Sequence, residues 1–374
     1  MSTHDDPDRV RRTMTDTEPF SVLDRDGHLR VETETLGLSK SDRLALYEHI
    51  KLARHFDQRM LSLQRRGQIG TYAPMTGQEG SQVATSYALD AGDWLFPTYR
   101  EHAAKYVHGI DLASVIRSLL GYEYAVPEDV NVMPEYIPIA TQIPHAVGVA
   151  WGCTLQNNHD TAVLCHLGDG ATSEGDFHEG LNFAGVFDVP VVFVCNNNQW
   201  AISVPRERQT ASETLAVKAR AYGFDGVRVD GLDPLAVYMV TQNALEKAKN
   251  PRTDERRPTL IESVQYRYGA HTTADDPSVY REETAVEKWK ERDPLDRLET
   301  HLYRTGILDM DRQATIDDRI ESQVQTAIDT ARSVSVDPGR MIDHTYESLP
   351  DRLRKQREEL SAFVDHDTSI TDGA

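Results

Sequence analysis

Apolar residues after residue 39 recur at the spacing of an amphipathic helix. The run ends at Gly67 and consists of Leu46, Ile50, Ala53, Phe56, Met60 and Leu63. Ser39 or Ser41 stands where the cap of such a helix is expected. Residues 1–35, by contrast, are polar and show no periodicity, so we expect a flexible N-terminal arm.

Three segments rich in glycine and proline follow the first helix and are expected to be loops. The first leads into a helix from about Gln78, and the second, FPTYREHAAKYVHG, passes from a loop into a helix. The third, residues 126–152, carries four prolines and then a helix of small residues. Its apolar residues should keep it ordered, which indicates a functional loop rather than a linker.

The centre of the chain alternates short apolar runs with segments of helical spacing. The predicted strands are 162–167, 189–195, 226–229 and 259–266, and the helices between them include 177–187 and 234–249. Wholly apolar strands that alternate with helices are typical of a parallel sheet covered on both faces. We therefore predict an α/β domain over residues 36–305, followed by a helical extension over 306–374.

The charge balance narrows the possible partners. The 374 residues include 60 Asp and Glu against 40 Lys and Arg, a formal charge of −20 that disfavours nucleic acid and anionic membranes as partners. No stretch approaches the ~20 apolar residues of a membrane span. Only 9 of the 40 basic residues are Lys. Such a composition is typical of a high-salt cytoplasm, where salt screens the repulsion, but an ordinary acidic cytosolic enzyme fits it too.

Cysteine usage indicates a reducing compartment. The three cysteines, Cys153, Cys165 and Cys195, form no CxxC pair, so neither a disulfide framework nor a zinc site is expected. The N-terminal residues are acidic and lack the apolar core of a signal peptide. These features together predict a cytoplasmic protein.

Two of the predicted strands end in unusual polar residues. The first is followed by Gly168-Asp169-Gly170 and the second by Asn196-Asn197-Asn198. Ligands of open parallel sheets bind at the carboxyl ends of strands, so a carboxylate and a carboxamide should meet at one edge. Carboxylate and carboxamide oxygens are hard ligands of the kind that Mg²⁺ prefers. The neighbouring glycines allow the backbone to approach a phosphate closely, so the pattern predicts a site for Mg²⁺ and a diphosphate. Either residue alone would more often be a helix cap or a turn residue, but the pair favours the site.

The segment GDGATSEGDFHEGLNFAGVFDVPVVFVCNNNQWAIS resembles the thiamine diphosphate motif. From about Leu38 to Arg304 the chain resembles the alpha subunit of the decarboxylating component of 2-oxoacid dehydrogenase complexes, the pyruvate and branched-chain family. The motifs TGQEG, PTYREHA, PIATQIPHAVG, GDG to NNNQWAIS and YRYGAHTTADDPSVYR occur in the family's order. The implied fold is the diphosphate-binding half of a thiamine-diphosphate-binding α/β fold.

The resemblance implies a metal and diphosphate site. Asp169 and Asn198 would bind Mg²⁺ through side-chain oxygens, and Trp200, where Tyr is commoner, through its backbone carbonyl. The diphosphate would contact a set of residues that the motifs supply, namely Tyr99, Arg100, Gly168, Gly170 and Ala171. Backbone N–H groups at a helix start and an arginine fork both suit a phosphate.

The Pro-rich loop is implied to hold the organic part of thiamine diphosphate. Ile139 matches the apolar residue that keeps the cofactor bent, and Ile137 would make backbone contacts to its aminopyrimidine; core packing is the simpler alternative for both. In branched-chain members this loop also holds K⁺. Thr141 and Gln142 match that pattern, whereas Tyr136 stands where those members use Ser.

His271 matches the family's active-site histidine. The resemblance implies that it stabilises charge on the substrate and assists transfer to the lipoyl thiol. Without the flanking motifs, an exposed histidine in a polar loop would be the better interpretation. Thr272 occupies the position of a regulatory phosphoserine in animal members, so regulation there is an open hypothesis.

The resemblance also implies a partner. Activation of the cofactor needs a glutamate that two-subunit members carry on their beta subunit, and this chain shows only one α/β half. We therefore expect an obligate beta subunit in an α₂β₂ heterotetramer, and a lipoyl domain of the acyltransferase component as acceptor. The substrate stays open, because PIATQIP resembles branched-chain members and NNNQWAIS resembles bacterial pyruvate enzymes.

Other classes of protein fit the sequence less well. The N-terminal half of a split transketolase would share GDG and NN but should lack TGQEG, ATQIP and YGAHTT. A nicotinamide dehydrogenase needs a GxGxxG turn after a strand, which does not occur. A non-catalytic subunit would be expected to lose Asp169, Asn198 or His271.

Overall fold

The computed structural model describes residues 18–122, 126–333 and 339–371, with side chains described as far as residue 362. The chain divides into two compact units, of which the first extends to Ile328 and the second begins at Asp329. The first unit therefore continues past the domain boundary predicted at residue 305. Within it, the helix that starts at Met310 is joined to the first long helix by an ion pair between Arg319 and Glu48, 2.6 Å apart.

The elements follow one another in the order that the sequence pattern indicates. The strands are β1 (Trp94–Phe96), β2 (Val163–Gly168), β3 (Val191–Asn197), β4 (Trp200–Ala201), β5 (Val204–Pro205), β6 (Asp225–Asp230) and β7 (Thr259–Val264). The α-helices are α1 (Lys40–Arg65), α2 (Glu79–Tyr87), α3 (His102–Val107), α4 (Leu112–Leu119), α5 (Gln142–Leu155), α6 (Gly175–Phe187), α7 (Pro234–Lys249), α8 (Glu283–Lys290), α9 (Pro294–Arg304), α10 (Met310–Arg332), α11 (Arg340–Asp343) and α12 (Asp351–Thr371).

Five strands form a parallel sheet in the order β1-β2-β3-β7-β6, and β4 and β5 form a separate two-stranded ribbon. The register aligns the ends of the central strands, since Gly168 of β2 lies beside Asn196 of β3. Asn196 in turn lies beside Ser263 of β7. The residues that follow β2 and β3 therefore emerge side by side at one edge of the sheet.

Helices cover both faces of this sheet, as predicted. Cys165 of β2 belongs to a buried core with Ile143 of α5 and Phe177 of α6. The next residue, His166, points to the opposite face because side chains alternate along a strand. There its Nε2 lies 3.4 Å from Oγ1 of Thr85 on α2. The predicted α/β architecture is thus confirmed.

The predicted elements agree with the structure to within a few residues, but several elements were not predicted, namely strands β1, β4 and β5 and helices α4, α8 and α9. Strand β1 was not predicted, because three residues, Trp94–Phe96, are too few to show a period. Ser39, rather than Ser41, caps α1. Its hydroxyl accepts a hydrogen bond from the Asp42 N–H, while the Asp42 carboxylate accepts one from the Ser39 N–H, a reciprocal capping box.

The prediction of a flexible arm is wrong for the residues just before the first helix. Phe20 pairs with Val229 at the edge of β6, and Val22 and Leu23 are fully buried. One carboxylate oxygen of Asp233 accepts hydrogen bonds from the N–H groups of Val22 and Leu23 at 2.8 and 2.7 Å. The sequence did not predict this attachment, because its hydrogen bonds join segments some 210 residues apart. Residues 1–17 lie outside the described part of the chain.

The described part of the second unit consists of helical segments. Its helices α11 and α12 are joined by Arg357, whose Nε donates to the carboxylate of Asp343 at 2.6 Å. Among the residues that the structure describes, no helix combines the length and the apolar character that crossing a bilayer requires.

Candidate functional site

A cavity of about 260 Å³ lies where β2 and β3 end. The predicted site residues that line it are Tyr99, Arg100, Ile139, Gly168, Asp169, Gly170, Ala171, Asn198, Trp200 and His271. The structure thus brings together ten of the eleven residues that the sequence singled out. The exception is Ile137, which is 65% exposed and lies outside the lining.

Close packing of the turn after β2 explains its glycine. A Cβ atom added to Gly170 would lie 2.8 Å from the Cβ of Ala201 on β4, closer than such atoms approach each other. Residues Asp169–Ser173 form a short 3-10 helix that continues directly from the strand. The backbone of this turn therefore lies next to the ribbon that carries Trp200.

Asp169 is a buried carboxylate beside a carboxamide. It is 1% exposed, and one of its oxygens accepts a hydrogen bond from Gln209 Nε2 at 2.6 Å. Burial raises the pKa of Asp169 to about 6, while Gln209, Arg267 and Arg206 oppose the rise. A divalent cation would favour the ionised carboxylate and compensate for its loss of water.

Asn198 is oriented by hydrogen bonds on both ends of its amide. Its Oδ1 accepts a hydrogen bond from the Trp200 N–H at 3.2 Å, and its Nδ2 donates to Oε1 of Gln78 at 3.0 Å. The carbonyl oxygen keeps a second lone pair that a metal could use. A carboxylate, a carboxamide oxygen and a backbone carbonyl form a donor set that suits Mg²⁺. Among the described residues, no group of three or more His, Cys, Asp or Glu forms a competing metal site.

Two guanidinium groups face His271. Nη2 of Arg100 lies 3.1 Å from Nδ1 of His271 and also donates to its backbone carbonyl at 2.9 Å. Nη1 of Arg267 lies 3.5 Å from the same ring nitrogen. Burial, reinforced by both arginines, lowers the pKa of His271 to about 4. Because arginine can only donate, Nδ1 is the acceptor and the proton of the neutral ring resides on Nε2.

The loop of His271 is ordered by charged side chains. The carboxylate of Asp275 accepts hydrogen bonds from the His271 N–H at 2.8 Å and from the Tyr280 hydroxyl at 2.5 Å. Nη2 of Arg267 donates to the Tyr280 hydroxyl at 2.7 Å. Thr272 is half-buried, and its hydroxyl oxygen accepts from the Ala274 N–H at 3.3 Å.

Apolar side chains form one part of the cavity wall. Ile139 is 46% exposed and Ile202 is 57% exposed, although both line the cavity. Ile202 has a φ of 56°, a conformation that costs a β-branched residue energy. Its carbonyl accepts a hydrogen bond from Nη2 of Arg267 at 2.7 Å, which helps to hold the strained backbone.

Tyr136 also lines the cavity, on the loop where a potassium ion was considered. Its ring lies 5.5 Å from that of His145. The Thr141 hydroxyl donates to the Pro138 carbonyl at 2.9 Å, and Gln142 Nε2 donates to the His166 carbonyl at 2.7 Å. The side chains of Thr141 and Gln142, two of the three residues considered for the potassium site, therefore already have hydrogen-bond partners within the protein.

Sequence reasoning missed several residues of the site. Gln78, Ile202, Gln209 and Arg267 line the cavity or contact its charged residues. Gln78 lies within the TGQEG motif, so its motif was recognised while its side chain was given no role. Arg267 lies within the quoted YRYG motif, close to His271 in sequence, but its side chain was given no role. Gln209 carried no signal, because it lies outside every recognised motif.

Comparisons with known proteins agree with the geometry. A sequence model of the dehydrogenase E1 component family matches residues 47–338. The pyruvate dehydrogenase E1 component subunit alpha of Staphylococcus epidermidis strain RP62A is 37% identical over 353 residues, which cover 93% of this chain and 94% of that protein. The protein of the same name from Staphylococcus aureus strain Mu50 is 37% identical over 350 residues, with coverages of 92% and 93%. The matched segment includes every residue of the cavity lining.

Proposed function

The chain belongs to the dehydrogenase E1 component family, and on this premise we propose that it is the alpha subunit of an acetyl-transferring pyruvate dehydrogenase. With its partner it would carry out thiamine-diphosphate-dependent oxidative decarboxylation of the 2-oxoacid and reductive acylation of a lipoyl group. The observation that carries the proposal is the single cavity to which five separate motifs contribute polar residues. The names of the two relatives favour pyruvate over a branched-chain substrate.

In this proposal Mg²⁺ is bound by Asp169, Asn198 and the carbonyl of Trp200, and the diphosphate by Arg100 and the turn at Gly170. Support comes from the aligned ends of β2 and β3 and from the buried carboxylate of Asp169. Bound thiamine diphosphate would supply a nucleophilic carbon for the 2-oxo group and would accept the electron pair that decarboxylation leaves behind. A potassium ion is left out of the proposal, since Tyr136 replaces a serine ligand.

His271 is proposed to act during the chemistry rather than in cofactor binding. Its low pKa makes the ring neutral at physiological pH, with a hydrogen on Nε2. A neutral imidazole can donate this hydrogen bond to a developing oxyanion without carrying a charge in the ground state. Ile139 and Ile202 would meanwhile exclude water from the apolar side of the cavity.

A beta subunit is the proposed partner, in an α₂β₂ assembly that a lipoyl domain then approaches. An apolar surface of this chain supports the proposal. On α5 and α6, Trp151 is 41% exposed, Phe183 52% and Phe187 37%. The rings of Trp151 and Phe187 are stacked with centroids 4.5 Å apart. A cluster of exposed aromatic residues of this kind indicates an interface.

A reducing cytoplasm is the proposed location. All three cysteines, Cys153, Cys165 and Cys195, are buried and unpaired. Burial raises the pKa of each thiol, which keeps it in the unreactive protonated form.

The proposal is tested with a panel of 2-oxoacids. The chain would be co-expressed with its beta subunit, supplied with thiamine diphosphate and Mg²⁺, and assayed with an artificial electron acceptor. We expect the highest kcat/KM with pyruvate. A preference for 2-oxoisovalerate or its branched relatives would instead make it a branched-chain enzyme, and inactivity with every 2-oxoacid would contradict the proposed function.

A further inference from the structure

Gln78 is a buried glutamine whose side chain faces the cavity. It is 1% exposed, lines the cavity and stands immediately before α2. Its backbone N–H donates to the Met75 carbonyl at 2.8 Å, so the main chain is fixed without the side chain. The side chain does not cap α2 either. Its amide is therefore available for a role in the site.

The orientation of this amide follows from a chain of hydrogen bonds. The Trp200 N–H donates to Oδ1 of Asn198, which leaves Nδ2 of Asn198 to donate to Oε1 of Gln78. Because an amide nitrogen can only donate, Gln78 must present its oxygen to Asn198 and its Nε2 on the other side. The same contact keeps the oxygen of Asn198 turned away from Gln78.

Nε2 of Gln78 is buried and has no hydrogen-bond partner among the residues that the structure describes. A buried, unpaired amide hydrogen costs free energy, so natural proteins almost always satisfy such a group. The cavity beside it contains Arg100, Gly170 and Asp169, the residues proposed for an anion and its metal. An anionic oxygen in the cavity would satisfy this donor with a charge-assisted hydrogen bond.

We propose that Gln78 has two functions in this site: Oε1 fixes the orientation of Asn198 for the metal, and Nε2 donates to a phosphate oxygen of the bound diphosphate. This inference rests on the proposed function, because it assigns a further residue to the same site. It makes Gln78 the link between the metal ligand and the anion, so one side chain would couple their binding.

Two substitutions separate the two functions. Gln78→Glu keeps an oxygen that accepts from Asn198 but replaces the donor with a second oxygen that repels phosphate. Gln78→Met removes both groups at similar volume. Binding of inorganic diphosphate with Mg²⁺, and of thiamine diphosphate with Mg²⁺, would be measured by calorimetry on the alpha–beta complex. Because a hydrogen bond to a charged group is involved, we expect both variants to bind roughly 10- to 100-fold more weakly.

A control variant shows whether weaker diphosphate binding is specific to Gln78. Gln265→Met removes another fully buried glutamine, which lies outside the cavity lining, and it should change the affinity for diphosphate less than about threefold. Melting temperatures without ligand identify any variant that fails to fold. If Gln78→Glu fails to fold, Gln78→Met carries the test of both functions together.

The possible outcomes separate a failure of the inference about Gln78 from a failure of the proposed function. Normal diphosphate affinity in Gln78→Glu would show that Nε2 of Gln78 does not donate to the diphosphate. Normal affinity in Gln78→Met would overturn the whole inference. Asp169→Ala serves as the reference. If Asp169→Ala abolishes binding while the Gln78 variants bind normally, only the inference fails, whereas normal binding in Asp169→Ala would contradict the metal site itself.

Discussion

The electrostatic surroundings of single residues decide what this site can do. Burial, reinforced by Arg100 and Arg267, lowers the pKa of His271, and burial raises the pKa of Asp169. Asp169 lies in the short 3-10 helix after β2 and His271 lies in a loop, and neither side chain belongs to the hydrophobic core of the sheet. Substitutions here should therefore change binding and chemistry more than stability.

We predict that His271 stays neutral far below the usual pH. Its pKa is lowered from 6.5 to about 4, so the unfolded chain takes up a proton first as the pH falls. The associated stability is full above pH 6.5 and is lost between about pH 6.5 and 4. NMR titration of labelled histidines, with His271→Gln to assign the signal, measures this. A midpoint near 6.5 would contradict the environment described.

Asp169→Ala should abolish Mg²⁺-dependent binding of thiamine diphosphate by the alpha–beta complex. The carboxylate is the one charged donor of the proposed metal site, and its loss removes no apolar core contact. Calorimetry with and without Mg²⁺ measures the effect. The melting temperature of the free complex serves as the control for folding, and unchanged cofactor affinity would exclude the metal assignment.

His271→Ala should bind thiamine diphosphate almost normally and lose activity with the lipoyl acceptor. Removing one acid–base group typically costs roughly 10²–10⁴-fold in rate. Steady-state kinetics with a lipoyl domain measures the loss. His159→Ala, which removes an exposed histidine elsewhere, should behave as wild type. Wild-type turnover in His271→Ala would show that this histidine has no catalytic role.

At the level of secondary structure, β6 packs closely against the 3-10 helix that precedes it. A Cβ atom at Gly226 in β6 would lie 1.9 Å from the carbonyl oxygen of Ala216 in the 3-10 helix Ala216–Tyr222. The next strand, β7, carries Glu262, whose carboxylate accepts from the N–H groups of Leu215 and Ala216 at 2.8 and 3.0 Å. Glycine is therefore the residue that lets these elements approach.

Gly226→Ala should destabilise the protein by about 1–3 kcal/mol or more, because the methyl group cannot fit without a backbone shift. Urea unfolding of the alpha–beta complex measures the change. Gly92→Ala is the matched control. A Cβ there has only the Thr161 hydroxyl, at 3.9 Å, as a neighbour, so stability should hardly change. Equal stability of both variants would contradict the packing described for β6.

At the scale of the whole molecule, the chain looks like half of a catalytic unit. Its cavity is lined by the residues proposed to bind the diphosphate and the metal, while the side chains of Ile139 and Ile202 are about half exposed. The aromatic residues on α5 and α6 are exposed as well. A second subunit would cover apolar surface of this kind.

The isolated chain should therefore decarboxylate no 2-oxoacid, even with excess thiamine diphosphate and Mg²⁺. The reason is that the glutamate needed to activate the cofactor belongs to the proposed beta subunit. The exposed apolar residues should also make the isolated chain self-associate. Release of carbon dioxide and size-exclusion chromatography, before and after addition of the beta subunit, measure both effects. Clear decarboxylation by the single chain would show that it carries its own activating glutamate.

Patterns and motifs in the sequence predicted the α/β architecture, the family and the place of the candidate site. Apolar runs predicted β2, β3, β6 and β7, because a strand buried on both faces must be apolar along its length. The polar residues after two of these strands, Asp169 and Asn198, indicated the site, because parallel strands end at one edge. The five ordered motifs identified the family, which the comparisons then confirmed.

Which distant groups contact each other is visible in the folded chain alone. Asp233 holds Val22 and Leu23 across some 210 residues of chain, and Gln209 meets Asp169 from a separate segment. The low pKa of His271 likewise depends on burial and on the guanidinium groups of Arg100 and Arg267, which the fold places beside its ring. Such contacts leave no periodic trace, because a hydrogen bond or charge pair between distant segments places no constraint on neighbouring residues. A sequence pattern indicates whether a side chain faces the core or the solvent. Which distant residue it contacts depends on how the chain folds.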